Sequence, residues 1–171
     1  MAKVIAEGIK QLWYADPSTI KADLTSVTLK TLLEGAKEIE NVHQDTWSIE
    51  ETEPTRTGFK NQLSGGVYRE NVELGDLTMN FTIGQYDFTT KADLMGGEGD
   101  ETSWKRSKST PKINKTMIAL TNDDVYVVFP KSSILAREAD TDGAIGVAVV
   151  ATALEHDVKE VHQEYMFRKE D

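Results

Sequence analysis

The chain has 171 residues, no cysteine, and 19 basic against 29 acidic residues, for a formal net charge of −10. That length holds one domain with a real core, and the missing thiols exclude disulfides, thiolate nucleophiles and thiolate-bound zinc or iron–sulfur sites. Acidity of this degree disfavours ordinary nucleic-acid binding, because neutralising phosphates takes clustered Lys and Arg. The basic cluster at Lys105, Arg106, Lys108, Lys112 and Lys115 has no aromatic interleaved beyond Trp104, and reads as a solvated loop. No apolar run approaches the length of a membrane-spanning helix, and the first residues lack the layout of a signal peptide. A protein made in the cytoplasm, with no membrane partner, is the expectation.

Residues 1–24 carry scattered apolar positions before a turn at Asp16-Pro17-Ser18, and read as an N-terminal arm with a short strand. From Asp23 a brief helix or turn is expected around Leu29, Leu32 and Leu33, although Val27 and Thr28 favour strand and Gly35 interrupts either. Trp47 and Ile49 fall on one face of a strand-like stretch. The segment 50–71 then loses all periodicity and carries Pro54, Gly58, Gly65 and Gly66. It is expected to be a long loop, with a loosely paired hairpin as the other reading. Its apolar residues Phe59, Leu63, Val67 and Tyr68 are more than a purely solvated loop needs.

The clearest element follows. Leu77, Met79, Phe81 and Ile83 alternate with Thr78, Asn80 and Thr82, which predicts a strand with one buried face. A short helix through Phe88, Ala92, Leu94 and Met95 comes next, closed by Gly96-Gly97 as a C-cap. The polar stretch 98–111 reads as a second long loop. Strands are expected at Ile113–Leu120, at Val125–Phe129 and around Ile134 and Leu135, with a turn at Asn122-Asp123-Asp124. The run AIGVAVVATAL, apolar on both faces, predicts a central strand covered on both sides. The tail from His156 fits a last strand or a short helix. Overall this is a single mainly-β domain over 1–171.

No arrangement of residues argues for catalysis. His43, His156 and His162 lack metal-ligand spacing and read as surface histidines. Glu138, Asp140, Asp142 and Gly143 share part of the pattern of a calcium loop, but no glutamate closes it, and a polar turn explains them better. The glycines at 96, 97 and 99 are not followed by the Gly-Lys-Ser/Thr of a phosphate loop, and no Gly-x-Ser-x-Gly elbow occurs. The reading is of a protein that is not an enzyme and has no cofactor and no metal.

The order Gly-Asp, alternating strand, Asp, short helix, Gly-Gly in GDLTMNFTIGQYDFTTKADLMGG resembles the tail-tube (major tail) proteins of bacteriophages. So does the second half, where a hairpin reaches Phe129-Pro130-Lys131, a linking strand follows, and a long strand of small residues ends in Val-Ala-Thr-Ala. The likeness covers roughly residues 40–155, and type VI secretion tube proteins are similar in fold. The resemblance implies two antiparallel sheets packed as a sandwich or small barrel with a flanking helix. It further implies hexameric rings stacked into a virion tail tube, through whose lumen DNA passes unbound. The partners would be other copies of the chain and tail components such as a tape measure, an initiator or a sheath. Phe88, Ala92, Leu94 and Met95 on the helix, and Phe59, Leu63, Val67 and Tyr68 in the long loop, would then be subunit contacts. Plain intrachain packing is the competing role for Phe88 and Met95. The alternative function is a monomeric β-sandwich that binds a ligand or carbohydrate through Trp13, Trp47 or Trp104.

Overall fold

A computed structural model describes residues 3–170; residues 1 and 2 of the expected arm, and Asp171, lie outside the described residues. In chain order the first half holds β1 (Gln11–Ala15), a 3-10 turn (Pro17–Thr19), α1 (Ser26–Gly35), β2 (Lys37–Glu38), β3 (Ser48–Glu51), β4 (Thr55–Lys60), β5 (Val67–Glu73) and β6 (Leu77–Ile83). The second half holds α2 (Phe88–Met95), β7 (Glu98–Gly99), β8 (Trp104–Lys105), β9 (Ile113–Leu120), β10 (Val125–Thr141), β11 (Ala144–Ala153) and β12 (Tyr165–Arg168). The fold is mainly β and antiparallel, as the sequence predicts.

One sheet, in the order β2-β1-β9-β10-β11-β6-β3, makes the body, with β12 also paired to β10. Its key is β10, which the sequence pattern splits into two strands. It is one strand of 17 residues. The apolar period breaks because the register against β9 shifts between Phe129 and Ser132. Pro130, with no N–H to give the ladder, sits in that bulge. Side chains there supply hydrogen bonds to carbonyls: Thr116 Oγ1 donates to the Pro130 carbonyl, and Ser132 Oγ donates to the Lys115 carbonyl, both at 2.7 Å. Before the bulge β10 runs between β9 and β12; beyond it, between β9 and β11 and then beside β11.

The sheet bends there, so its two halves face each other like the layers of a sandwich. Leu12 and Tyr14 of β1 share a core with Met79, Phe81 and Ile83 of β6, although the two strands stand far apart in the sheet. The four positions whose alternation predicts a buried face on β6 all point into this core. The short strand expected within residues 1–24 is β1, which is paired on both edges and supplies core residues. Its five residues are too few for a visible period.

A second cluster lies on the outer side of the first half, where Leu29, Leu32 and Leu33 of α1 cover Ile118, Val128, Tyr126 and Phe167. Thr25 and Thr28 start α1 with reciprocal side-chain to backbone hydrogen bonds, which outweighs the weak helix propensity of Val27 and Thr28. Gly35 ends the helix rather than breaking it.

Helix α2 closes the open side of the main core with Leu94. Asp87 caps its first turn, accepting the Thr90 N–H at 2.6 Å, and this bond chiefly holds the Asp87 carboxyl below its usual range. Gly96 and Gly97 end it with φ of 84° and 89°, a left-handed region that L side chains avoid. A Cβ on Gly97 would also lie 2.1 Å from the Lys105 carbonyl oxygen. Gly97→Ala is therefore expected to lower stability by more than about 1 kcal/mol, measured by thermal melting beside wild type. An unchanged melting point would show that this turn relaxes freely.

Two further expectations are corrected. The segment 50–71 is not a long loop but takes its other reading, a hairpin: β4 and β5 form a separate two-stranded sheet. Its periodicity is invisible because every residue of both strands is exposed, so neither face is selected to be apolar. The stretch 98–111 keeps its loop character apart from the two-residue pairing of β7 with β8. The strand of small residues, β11, is central in its pairing but covered on one face only; Val147, Val149 and Ala151 are buried, whereas Val150 is exposed.

Candidate functional site

Three surface features of the chain stand out. The first is the outer face of the half-sheet made of β3, β6, β11 and the end of β10. Leu135, Val150, Asn80 and Ser48 stand in one row across the four strands. Arg137, Ala148 and Thr82 make the next row. No helix covers this face, in contrast to the other half under α1, and Leu135 is 63% exposed. Hydroxyls and small apolar groups dominate it, and Arg137 is the cation within these two rows.

The second is the β4–β5 hairpin, which leaves the body at a narrow neck. The Thr52 N–H donates to the Asp76 carbonyl at 3.0 Å, and the Asp76 N–H to Thr52 Oγ1 at 2.8 Å. Beyond that neck the two strands pair with each other alone. The loop residues singled out from the sequence all lie here and all are exposed, with Leu63 at the tip 97% exposed. The guanidinium of Arg69 lies 4.1 Å from the Phe59 ring centre. Arg56 pairs with Glu70 at 3.4 Å. Sequence reasoning missed the charge of this hairpin. Over Thr55–Glu73 it holds three cations, Arg56, Lys60 and Arg69, against two carboxylates, Glu70 and Glu73, both in the last four residues of β5. The visible signal was an acid-free run in an acidic chain.

The third is an open cleft of about 640 Å³ between β2 and the start of α2. Glu38, Glu40 and Asp87 line it, with Lys37, Gln85 and Tyr86. Lys37 is drawn to Asp87 at 3.3 Å. Glu38 and Glu40 have no ion pair among the described residues.

The residues singled out on α2 divide. Leu94 and Met95 are buried within the chain's own fold, while Phe88 is partly exposed and Ala92 half-buried. Between them Lys91, only 5% exposed, does what no sequence pattern announces. Its Nζ donates to Glu138 Oε1 on β10 at 2.8 Å and lies 4.1 Å from the Trp104 ring centre. Arg106 reaches the other Glu138 oxygen at 3.5 Å and also lies near the Trp104 ring, at 5.5 Å. Hydrogen bonding from Lys91, with its charge and that of Arg106, holds the Glu138 carboxyl below its usual range. The cluster fastens α2 and the β7–β8 segment to β10.

The tryptophans are taken up in similar ways. The Trp104 indole N–H donates to the Gly96 carbonyl at 3.0 Å, Trp13 packs near Tyr126, and Trp47 lies against the main core. None of the three is an exposed ring. The surface reading of His156 is corrected: it is buried, with one ring nitrogen on the Pro17 carbonyl at 3.0 Å and the other accepting the Val158 N–H. Asp142 and Gly143 form the two-residue turn between β10 and β11. Among the described residues no group of His, Asp and Glu could hold a metal, and no helix is long and apolar enough to cross a membrane. No protein-family model matches the sequence, and no curated protein matches it either.

Proposed function

We propose that the chain is a structural subunit that assembles with copies of itself into closed rings, stacked as a tube of the bacteriophage-tail kind. The observation that carries this reading is the bare outer face of the half-sheet β10-β11-β6-β3, which ends in the open edge of β3. An open edge invites a further strand, and a closed ring removes open edges without creating new ones. In such a ring a bare face of hydroxyls and small side chains can line a bore, where it offers few cations for DNA to hold. The bore would serve DNA passage in a virion tail, and tape-measure, initiator or sheath proteins would meet the tube from outside this chain.

The test is light scattering behind size-exclusion chromatography over a concentration series, with negative-stain images of the densest sample. Closed rings of about six copies with a common bore are expected. A monomer at every concentration, with no ring in the images, overturns the proposal.

A further inference from the structure

We infer that His156 is a pH-operated latch. Neutral, it clasps the segment 155–164 to the 3-10 turn at Pro17; protonated, it lets that segment lift from the second core cluster. The latch belongs to a single chain and needs no second copy. His156 is 6% exposed, and both of its ring nitrogens are engaged with backbone. The Pro17 carbonyl, 3.0 Å from Nε2, can only accept, and the Val158 N–H, 3.1 Å from Nδ1, can only donate. These two partners fix one neutral tautomer, with its proton on Nε2. An imidazolium carries a second N–H on Nδ1, which would meet the Val158 N–H donor to donor. Two buried donors that face each other repel, so gaining the proton and losing the clasp are one event.

The latched segment is a strap that joins β11 to β12. Val161 is buried in the second cluster with Ile20 and Leu24, and Val158 packs against it. At one end the Leu154 N–H donates to the Lys131 carbonyl at 2.8 Å. At the other, Tyr165 Oη donates to Asp23 Oδ1 and accepts the His162 N–H at 2.9 Å. Neither fastening uses an imidazole ring. The charged groups about the latch come from three elements. Asp157 lies beside it on the strap, where Lys131 of β10 holds it at 2.9 Å. Asp16, which precedes Pro17, accepts the Ser18 N–H at 2.9 Å, with Lys115 of β9 near enough to act on it. Those two bonds hold both carboxyls below their usual range. Lys21, Glu155, Lys159 and Glu160 are exposed. Ordinary carboxylates and ammonium groups keep their charge between about pH 5 and 8, the range in which an imidazole changes its own.

Nitrogen NMR of the histidine-labelled full chain reads the ring, and amide hydrogen exchange at Val158 and Val161, corrected for intrinsic rates, reads the strap. Val158 gives its N–H to the ring, and Val161 gives its own to the Val158 carbonyl at 3.1 Å. From about pH 7.5 to about pH 5 the ring is expected to pass from the Nε2–H tautomer to imidazolium. Protection of both amides should fall about tenfold or more, while the amides of β11 keep theirs. His156→Gln takes no proton, yet its amide can donate to the Pro17 carbonyl and accept from Val158, so the strap should hold equally at both pH values. His162→Gln should leave the drop in place.

A drop of the same size in His156→Gln overturns the inference, as does a drop that His162→Gln removes. So does a ring that becomes protonated while Val158 stays protected, or one that stays neutral until the whole body unfolds. The last two are read from wild type and stand even if His156→Gln fails to fold.

Discussion

Phe129→Ala is expected to be among the most damaging single changes in the body of the protein, with a loss of about 3–5 kcal/mol in unfolding free energy. Phe129 is fully buried and stands on β10 just before the bulge. Its ring belongs to the core shared by β1, β6, β9 and β11. Removing it leaves a cavity where the two halves of the sheet meet, and neither half can collapse into it without dragging the common strand. Urea titration followed by far-ultraviolet dichroism and by tryptophan emission should show a single transition at lower urea for both probes. At this chain length the melting point should fall by about 10 °C or more. Two separated transitions would show that the halves fold independently, against the picture of one core.

The second large effect is expected at Glu138. Replacing it with Gln removes the carboxylate that Lys91 meets at 2.8 Å, and leaves a nearly buried ammonium over the Trp104 ring without its counter-charge. Losing the counter-charge costs about 2 kcal/mol even where the amide oxygen still accepts from Nζ. Adding Lys91→Met should recover much of that loss, because the apolar chain still covers the indole and the charge is gone. The pH dependence has a definite sign. Lys91, and then Arg106, lower the Glu138 pKa below its usual value of 4.5. In the window beneath 4.5 the unfolded chain therefore binds more protons at this group, and stability rises with pH. Wild type and Glu138→Gln should differ by a constant amount above that window and converge as the pH falls through it. A gap that persists at acid pH would mean that the glutamine is a steric fault rather than a lost charge.

What could be read from the sequence follows the geometry of burial. Strand β6 was legible because water lies on one side of it and the core on the other, so its alternation is complete. Helix α2 was legible from Asp87 at one end and Gly96-Gly97 at the other. The β4–β5 hairpin was obscured for the opposite reason: with both faces in water, Thr, Arg, Phe and Tyr follow no period. Strand β10 was divided in two because Pro130 interrupts its pattern at the place where the chain needs a bulge. Nothing in the spacing of Lys91 sets it apart from an ordinary surface lysine; its burial depends on Trp104 and Glu138, which arrive from distant stretches. Arg56, Lys60 and Arg69 are too far apart to make a charge run, and pairing of two strands puts them on one ribbon.

The neck of that ribbon has a consequence for how such a chain can change. Glu51 and Leu77 face each other as paired residues of β3 and β6. Everything from Thr52 to Asp76 is thus an insert in what would otherwise be a tight turn between neighbouring strands. The body keeps its sheet and its core without any residue of that insert, so the insert can be rewritten, lengthened or exchanged while the body stays as it is.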